Sequence, residues 1–189
     1  SKGPLSLTIT VQGLVPIGGA VLRSGATVGD DIYVSGTIGD AGIGLEHYQS
    51  GRESYLANRY TDPTPRLELG QALRETASAM IDVSDGLVAD LTHILRASDV
   101  GADVDSLLVP LSSEMKQYVD QGYEPMTAGD DYELCFTAGE QMREAVLASA
   151  LSTGTEVSRI GTITAEPGLR LFEGDSRREI SDEGYRHFQ

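Results

Sequence analysis

Apolar and polar side chains alternate at the start of the chain, with Leu5, Leu7, Ile9 and Val11 separated by Ser6, Thr8 and Thr10. A period of two is that of a half-buried strand, so residues 5–11 are expected to form one, ended by Pro16-Ile17-Gly18-Gly19. Ile32-Tyr33-Val34 predicts a second strand, which runs into the glycine-spaced segment Gly36-Thr37-Ile38-Gly39-Asp40-Ala41-Gly42 and then a short helix through His47. Thr61-Asp62-Pro63-Thr64-Pro65 is a stiff loop, because the residue before each proline is biased away from helix. Helix resumes near Arg66, with Leu69, Ala72, Leu73 and Thr76 on one face.

Ala79-Met80-Ile81-Asp82 reads as a short buried strand that feeds directly into a helix. Leu87, Leu91, Ile94 and Leu95 form the buried face of that helix, and Gly101 is its expected stop. Further strands are expected over 102–105, 132–137, 157–163 and 169–172, and helices over 113–119 and 139–149. Strands alternating with helices indicate a layered α/β or α+β domain.

Composition narrows the class. The 189 residues suffice for one well-packed domain with a small appendage, and 40% hydrophobic residues with 22 glycines and 7 prolines fit a folded globular chain. No apolar run approaches the roughly 20 residues that span a bilayer. The start, Ser1-Lys2-Gly3-Pro4, lacks an initiator Met and a signal-peptide pattern and reads as a cut end. Cys135 is the single cysteine, so no internal disulfide forms and a reducing, cytoplasmic setting is expected. Fourteen Lys and Arg against 29 Asp and Glu give a net charge of -15, which repels polyanions and argues against nucleic-acid binding. A small phosphate ligand can still bind where divalent cations bridge carboxylates to phosphate oxygens.

Two segments carry candidate chemistry. In Asp82-Val83-Ser84-Asp85-Gly86-Leu87 a strand ends, two carboxylates and a hydroxyl follow within four positions, and a helix begins. Ser84 or Asp85 can cap that helix, or Asp82 and Asp85 can hold magnesium through oxygen ligands. In Ala128-Gly129-Asp130-Asp131-Tyr132-Glu133-Leu134 three acids crowd the mouth of an apolar strand. They form either a charged turn before an edge strand, or a site where Asp130 or Asp131 faces a polar or cationic ligand. Cys135 lacks an evident basic neighbour and reads as packing. Gly36 to Gly44 resembles a phosphate cradle in composition only, without the ending of a Walker A loop. Arg23, in a loop between strands, could clamp a phosphate. His47, His93 and His187 have no spacing suited to zinc. The aromatics of Gly184-Tyr185-Arg186-His187-Phe188 either dock as a tail or stack on a flat heterocycle.

Taken in order, these segments resemble the thiamine-monophosphate kinase family. The matching stretches are Gly3 to Thr10, Arg23-Ser24-Gly25-Ala26, Gly29-Asp30 with Tyr33-Val34-Ser35-Gly36-Thr37, Ile81 to Leu87, Gly129 to Phe136 and Gly184 to Phe188. The resemblance implies a mixed β-sheet with packed helices, the C-terminal domain of the aminoimidazole-ribonucleotide-synthetase-like fold. Residues 1–16 would be the last strand of a missing N-terminal ATP- and magnesium-binding domain, and 17–189 the C-terminal domain. It further implies ATP-dependent phosphorylation of thiamine monophosphate to thiamine diphosphate. Arg23 and Ser84 would contact ATP, Asp82 and Asp85 magnesium, and Asp130 and Tyr185 the substrate. Asp130 stands where the family commonly has Glu. Because the family's N-terminal half supplies most magnesium-binding aspartates and the usual homodimer interface, this stretch alone is expected to be inactive. The alternatives are a selenophosphate- or aminoimidazole-ribonucleotide-type synthetase, or a non-catalytic nucleotide-binding or dimerisation module.

Overall fold

The computed structural model of the chain describes residue 3 and residues 5–178. Seven strands form one mixed sheet: β1 (Asp31–Ser35), β2 (Ala79–Val83), β3 (Gly101–Asp105), β4 (Glu133–Ala138), β5 (Val157–Thr164), β6 (Gly168–Glu173) and β7 (Ser176–Arg178). Their spatial order is β2-β4-β1-β5-β3-β6-β7, and every neighbouring pair is antiparallel except β3–β6. The helices are α1 (Asp40–Gln49), α2 (Tyr55–Thr61), α3 (Leu67–Ala72), α4 (Leu87–Ser98), α5 (Ser113–Val119) and α6 (Arg143–Thr153).

The two faces of the sheet are covered differently. Leu87, Leu91, Ile94 and Leu95 of α4 bury against Ile32, Val34, Ile81, Val104, Ile160 and Ile163, which is the main core. On the other face Leu69, Leu73 and Val146 from the α3 and α6 regions close over Tyr33, Phe136 and Met80, with the rings of Tyr33 and Phe136 stacked 5.2 Å apart. A third cluster joins Ile43 of α1, Leu56 of α2 and Met115 of α5. His47 braces these three helices, its ring nitrogens 2.7 Å from Ser54 Oγ and 2.9 Å from the Tyr118 hydroxyl. Burial pushes its pKa below the usual histidine value, helped by the nearby Arg52 charge.

Several expectations from the sequence change here. Residues 5–11 form no strand: Leu5, Leu7, Ile9 and Val11 are all more than four-fifths exposed. A strand needs a neighbour for its ladder, and none of the seven strands pairs with this segment. The turn at its end does form, with the Gly19 N–H donating to the Pro16 carbonyl at 2.8 Å. The stop of α4 is Asp99, held in the left-handed conformation at φ 54°, and Gly101 instead opens β3. Helix α2 and strand β7 were not expected. The first follows the Ser54 side chain, which accepts from the Ala57 N–H, a capping signal hidden between a charged stretch and a proline loop.

Strand β4 lies between β2 and β1, so the acids before it do not form a turn at a sheet edge. Glu133 is fully buried and accepts from Arg66 Nε and Nη2, each at 2.7 Å, from Arg59 Nη2 at 2.9 Å and from the Ser35 hydroxyl at 2.6 Å. A Cβ at Gly36 would sit 2.2 Å from the Glu133 carboxylate, and its φ of 56° also suits glycine, so the residue after β1 must be small. Asp131 is likewise buried. Its two oxygens accept from the Gly39 N–H at 2.6 Å and the Ala41 N–H at 3.1 Å, tying the segment before β4 to the start of α1.

Two consequences are measurable. Removing the acceptor by Glu133→Ala leaves Arg66 a mostly buried cation without its carboxylate and Arg59 with only Asp40 at 3.7 Å, so a loss of about 3–5 kcal/mol in urea unfolding is expected; a loss below about 1 kcal/mol would show that the cluster stabilises little. Burial pushes the Asp131 carboxyl up to about 7, against the two N–H donors that favour its ionised form. A raised folded-state pKa means the fold binds the proton more tightly than the unfolded chain. Stability from this group is therefore full below its ordinary value of 3.8 and is lost as pH rises through about 7. Asp131→Asn does not titrate, so its stability relative to the parent should improve by a few kcal/mol between pH 5 and 8, read from urea midpoints. A difference that stays constant with pH would show the carboxylate ionised throughout.

Candidate functional site

The two acidic segments singled out in the sequence lie side by side. Strands β2 and β4 pair from Ala79 opposite Thr137 to Val83 opposite Glu133, and the pairing continues past both strand ends. The Tyr132 N–H donates to the Val83 carbonyl at 2.8 Å, and the Asp130 N–H donates to the Ser84 carbonyl at 2.9 Å. Gly129 lies so close that a Cβ there would stand 2.4 Å from the Ser84 oxygen. The turn carrying Ser84 and Asp85 and the segment carrying Asp130 thus form one surface, at the end of the sheet where α4 begins.

The backbone on the β4 side is strained. Asp130 and Tyr132 have φ of 67° and 51°, two of the three non-glycine residues with positive φ among those described. Aspartate tolerates this region, but a tyrosine there is unusual and costs on the order of 1–3 kcal/mol. The Tyr132 ring stays partly exposed, with its hydroxyl 3.3 Å from Asp130 Oδ1. Partial burial raises the Tyr132 pKa, and the charges of Asp130 and Asp82 raise it further. Asp82 is exposed near the end of β2.

The N-cap position of α4 is Gly86, and it provides no side-chain cap. The acceptor comes instead from Asp90 inside the helix, whose Oδ2 takes the Ser84 N–H at 2.9 Å and the Asp85 N–H at 3.0 Å. Burial raises the Asp90 pKa, the two N–H donors lower it, and the charges of Asp85 and Asp82 raise it again. Asp90 was not singled out from the sequence. An aspartate in the first turn of a helix is ordinary, and only the fold shows that it reaches back over the preceding turn.

The remaining site expectations divide. Arg23 is exposed, but its carbonyl and the following Gly25 and Ala26 N–H groups sit around the hydroxyl of Ser98, the last residue of α4. Ser84 precedes the other end of that helix, about 18 Å away for 12 residues, so the fold does not bring Arg23 and Ser84 together within this chain. Tyr185 lies outside the described residues. Cys135 is fully buried and its thiol is pushed well up by burial, consistent with packing. Among the described residues, no group of three or more His, Cys, Asp or Glu side chains is arranged to hold a metal ion. Nor is any helix among them long and apolar enough to cross a membrane.

Comparison with known proteins gives a consistent result. The chain is 40% identical to the thiamine-monophosphate kinase of Escherichia coli over 199 aligned positions, and 38% identical to that of Haemophilus influenzae over 202. All of the chain is covered in both, against 61% and 62% of the relatives, so it spans less than two thirds of their length. The crystal structure of thiamine-monophosphate kinase from Stenotrophomonas maltophilia superposes with a TM-score of 0.77 at 40% identity, covering 83% of this chain and 54% of that one. AaThiL complexed with AMPPCP and TMP gives 0.73 at 32% identity, covering 89% and 54%. The hydrogenase maturation protein HypE of E. coli, 22% identical with a TM-score of 0.73 over 85% of this chain and 52% of that one, shares the fold alone. Residues 27–173 match the model described as AIR synthase related protein, C-terminal domain, and the chain belongs to that family.

Proposed function

We propose that the chain is the C-terminal part of a kinase that transfers the γ-phosphoryl group of ATP to thiamine monophosphate. The observation that carries this reading is the fusion of the Asp82–Asp85 turn and the Asp130 segment into one surface through the Asp130-to-Ser84 and Tyr132-to-Val83 hydrogen bonds. Supporting it are the 40% identity to a thiamine-monophosphate kinase along the whole chain and a related structure that binds AMPPCP and TMP. In the reaction a terminal phosphate oxygen of thiamine monophosphate forms a bond to the γ-phosphorus, the bond to the β-phosphate oxygen breaks, and ADP leaves. The attacking oxygen is already ionised near neutral pH, so no side chain here needs to act as general base.

Asp82 and Asp85 would hold magnesium. The donor set fits, because this ion usually takes one or two protein carboxylates and fills its other positions with water and phosphate oxygens. When bound, the ion supplies positive charge that offsets the repulsion between two phosphorylated reactants at an acidic surface. Ser84, fixed at both its N–H and its carbonyl, offers a hydroxyl to ATP from a turn with little freedom. Asp130 would face the substrate. Arg23 could meet ATP only from the opposite end of α4, and Tyr185 would pack on the thiamine moiety.

The remaining parts of such an enzyme would come from a longer protein. Residues 1–16 would belong to its preceding domain, a reading supported by the exposed alternating apolar residues 5–11, which have the pattern of a strand awaiting a ladder. That domain would add further magnesium ligands and the surface for a homodimer, and a cytoplasmic location accords with the single buried cysteine.

In the protein carrying its N-terminal half, Asp82→Ala and Asp85→Ala should each lower kcat/KM for thiamine diphosphate formation about 100-fold or more, at saturating magnesium. Asp130→Ala should raise KM for thiamine monophosphate while leaving KM for ATP within about twofold. Undiminished turnover in both of the first two variants would sink the magnesium role.

A further inference from the structure

The turn between β2 and α4 holds its shape through a residue that cannot itself touch a ligand. Ser84 and Asp85 lie beyond the last paired residue of β2, so their N–H groups have no ladder partner. One buried carboxylate oxygen satisfies both: Asp90 Oδ2 lies 2.9 Å and 3.0 Å from the two nitrogens, and Asp90 is only 2% exposed. On its other side the turn is fixed by the Asp130 N–H on the Ser84 carbonyl and by the close approach of Gly129. Ser84 is thereby clamped through both of its backbone polar groups, with Asp82 two residues before it and Asp85 directly after.

We propose that Asp90 is a positioning residue that pins the Ser84–Asp85 backbone, so that Asp85 is presented to a divalent cation from a fixed turn, beside Asp82, which the β2–β4 ladder already holds. The inference rests on the reading of those two aspartates as cation ligands and adds to it the part that orients Asp85. Two properties of Asp90 could matter, and they make different demands. As an acceptor it must place one oxygen between two N–H groups, which an amide oxygen can also do. As a charge it adds a third negative group beside Asp82 and Asp85, which an amide cannot. Both bonds converge on the same oxygen, so placement is the property that the geometry uses. Partners that orient metal ligands in this way typically contribute 10–100-fold in metal affinity.

The test is the affinity for manganese(II), followed by electron paramagnetic resonance, in the protein carrying its N-terminal half and saturated with a non-hydrolysable ATP analogue. Asp90→Glu keeps the charge but moves the oxygen by one methylene, and should weaken manganese binding about tenfold or more. Asp90→Asn keeps an acceptor in place and should stay within about threefold of the parent. Urea midpoints recorded on the same samples separate a folding defect from a positioning defect. Parental affinity in Asp90→Glu, an equal loss in Asp90→Asn, or a loss fully explained by the unfolded fraction would each overturn the proposal. Asp82→Ala serves as the control for the underlying reading. If it weakens manganese binding while Asp90→Glu does not, the positioning role alone fails; if it has no effect, the cation site fails and the positioning role with it.

Discussion

The carboxylate-bearing end of this domain depends on a ladder that runs past its own strands. Strands β2 and β4 could separate after Val83 and Glu133, as paired strands commonly do at a loop. Instead Tyr132 and Asp130 continue the pairing by donating to the Val83 and Ser84 carbonyls. The continuation requires positive φ at two non-glycine residues, and at Tyr132 this opposes folding by on the order of 1–3 kcal/mol. Such strain persists only where the surroundings outweigh it. Here the neighbouring anchors are Asp131, bonded to the start of α1, and Glu133, bonded to two arginines and a serine.

The acid excess of the chain therefore has two parts with different physics. Asp131, Glu133 and Asp90 point inward, are almost completely shielded from water and accept hydrogen bonds from backbone or guanidinium groups. They are architecture, and buried carboxylates with these partners stay in place because removing a partner is costly. Asp82, Asp85, Asp130 and Tyr132 are the more exposed members of the same two segments. From 130 to 133 the inward and outward roles alternate with the period of a strand, although Tyr132 and Asp130 lie before β4 begins. A net charge of -15 alone could not have made that separation.

Local patterns read well from the sequence where one face of a long element is buried. The α4 face, the glycine segment opening α1 and the apolar strands around Ile32 and Ile81 each carried their period in a few side chains, and each formed close to where it was expected. The two acidic motifs were also visible as candidates. Their adjacency was not, because residues 84 and 130 are brought together by a strand pairing that no local spacing encodes. For the same reason β4 was open to misreading as an edge strand, and no local signal marked Arg59, Arg66 or Asp90 as site or core partners. Residues 5–11 show the converse failure. Their alternation is a sound strand signal, yet a period specifies only a face, and the neighbour that would cover it has to be supplied by other residues.

Asp130 shows how the fold can alter a contact without altering the motif. The resemblance to thiamine-monophosphate kinases places a glutamate commonly at this position, and this chain has an acid one methylene shorter. Its carboxylate lies 3.3 Å from the hydroxyl of Tyr132, the residue whose strained backbone turns its ring toward the same surface. A glutamate in that position would carry its charge one methylene further from the backbone. The aspartate instead keeps it near the turn, where the ring and the acid can act as a unit. The positive φ that continues the β2–β4 pairing at position 132 therefore also leaves an aromatic surface beside a short acid.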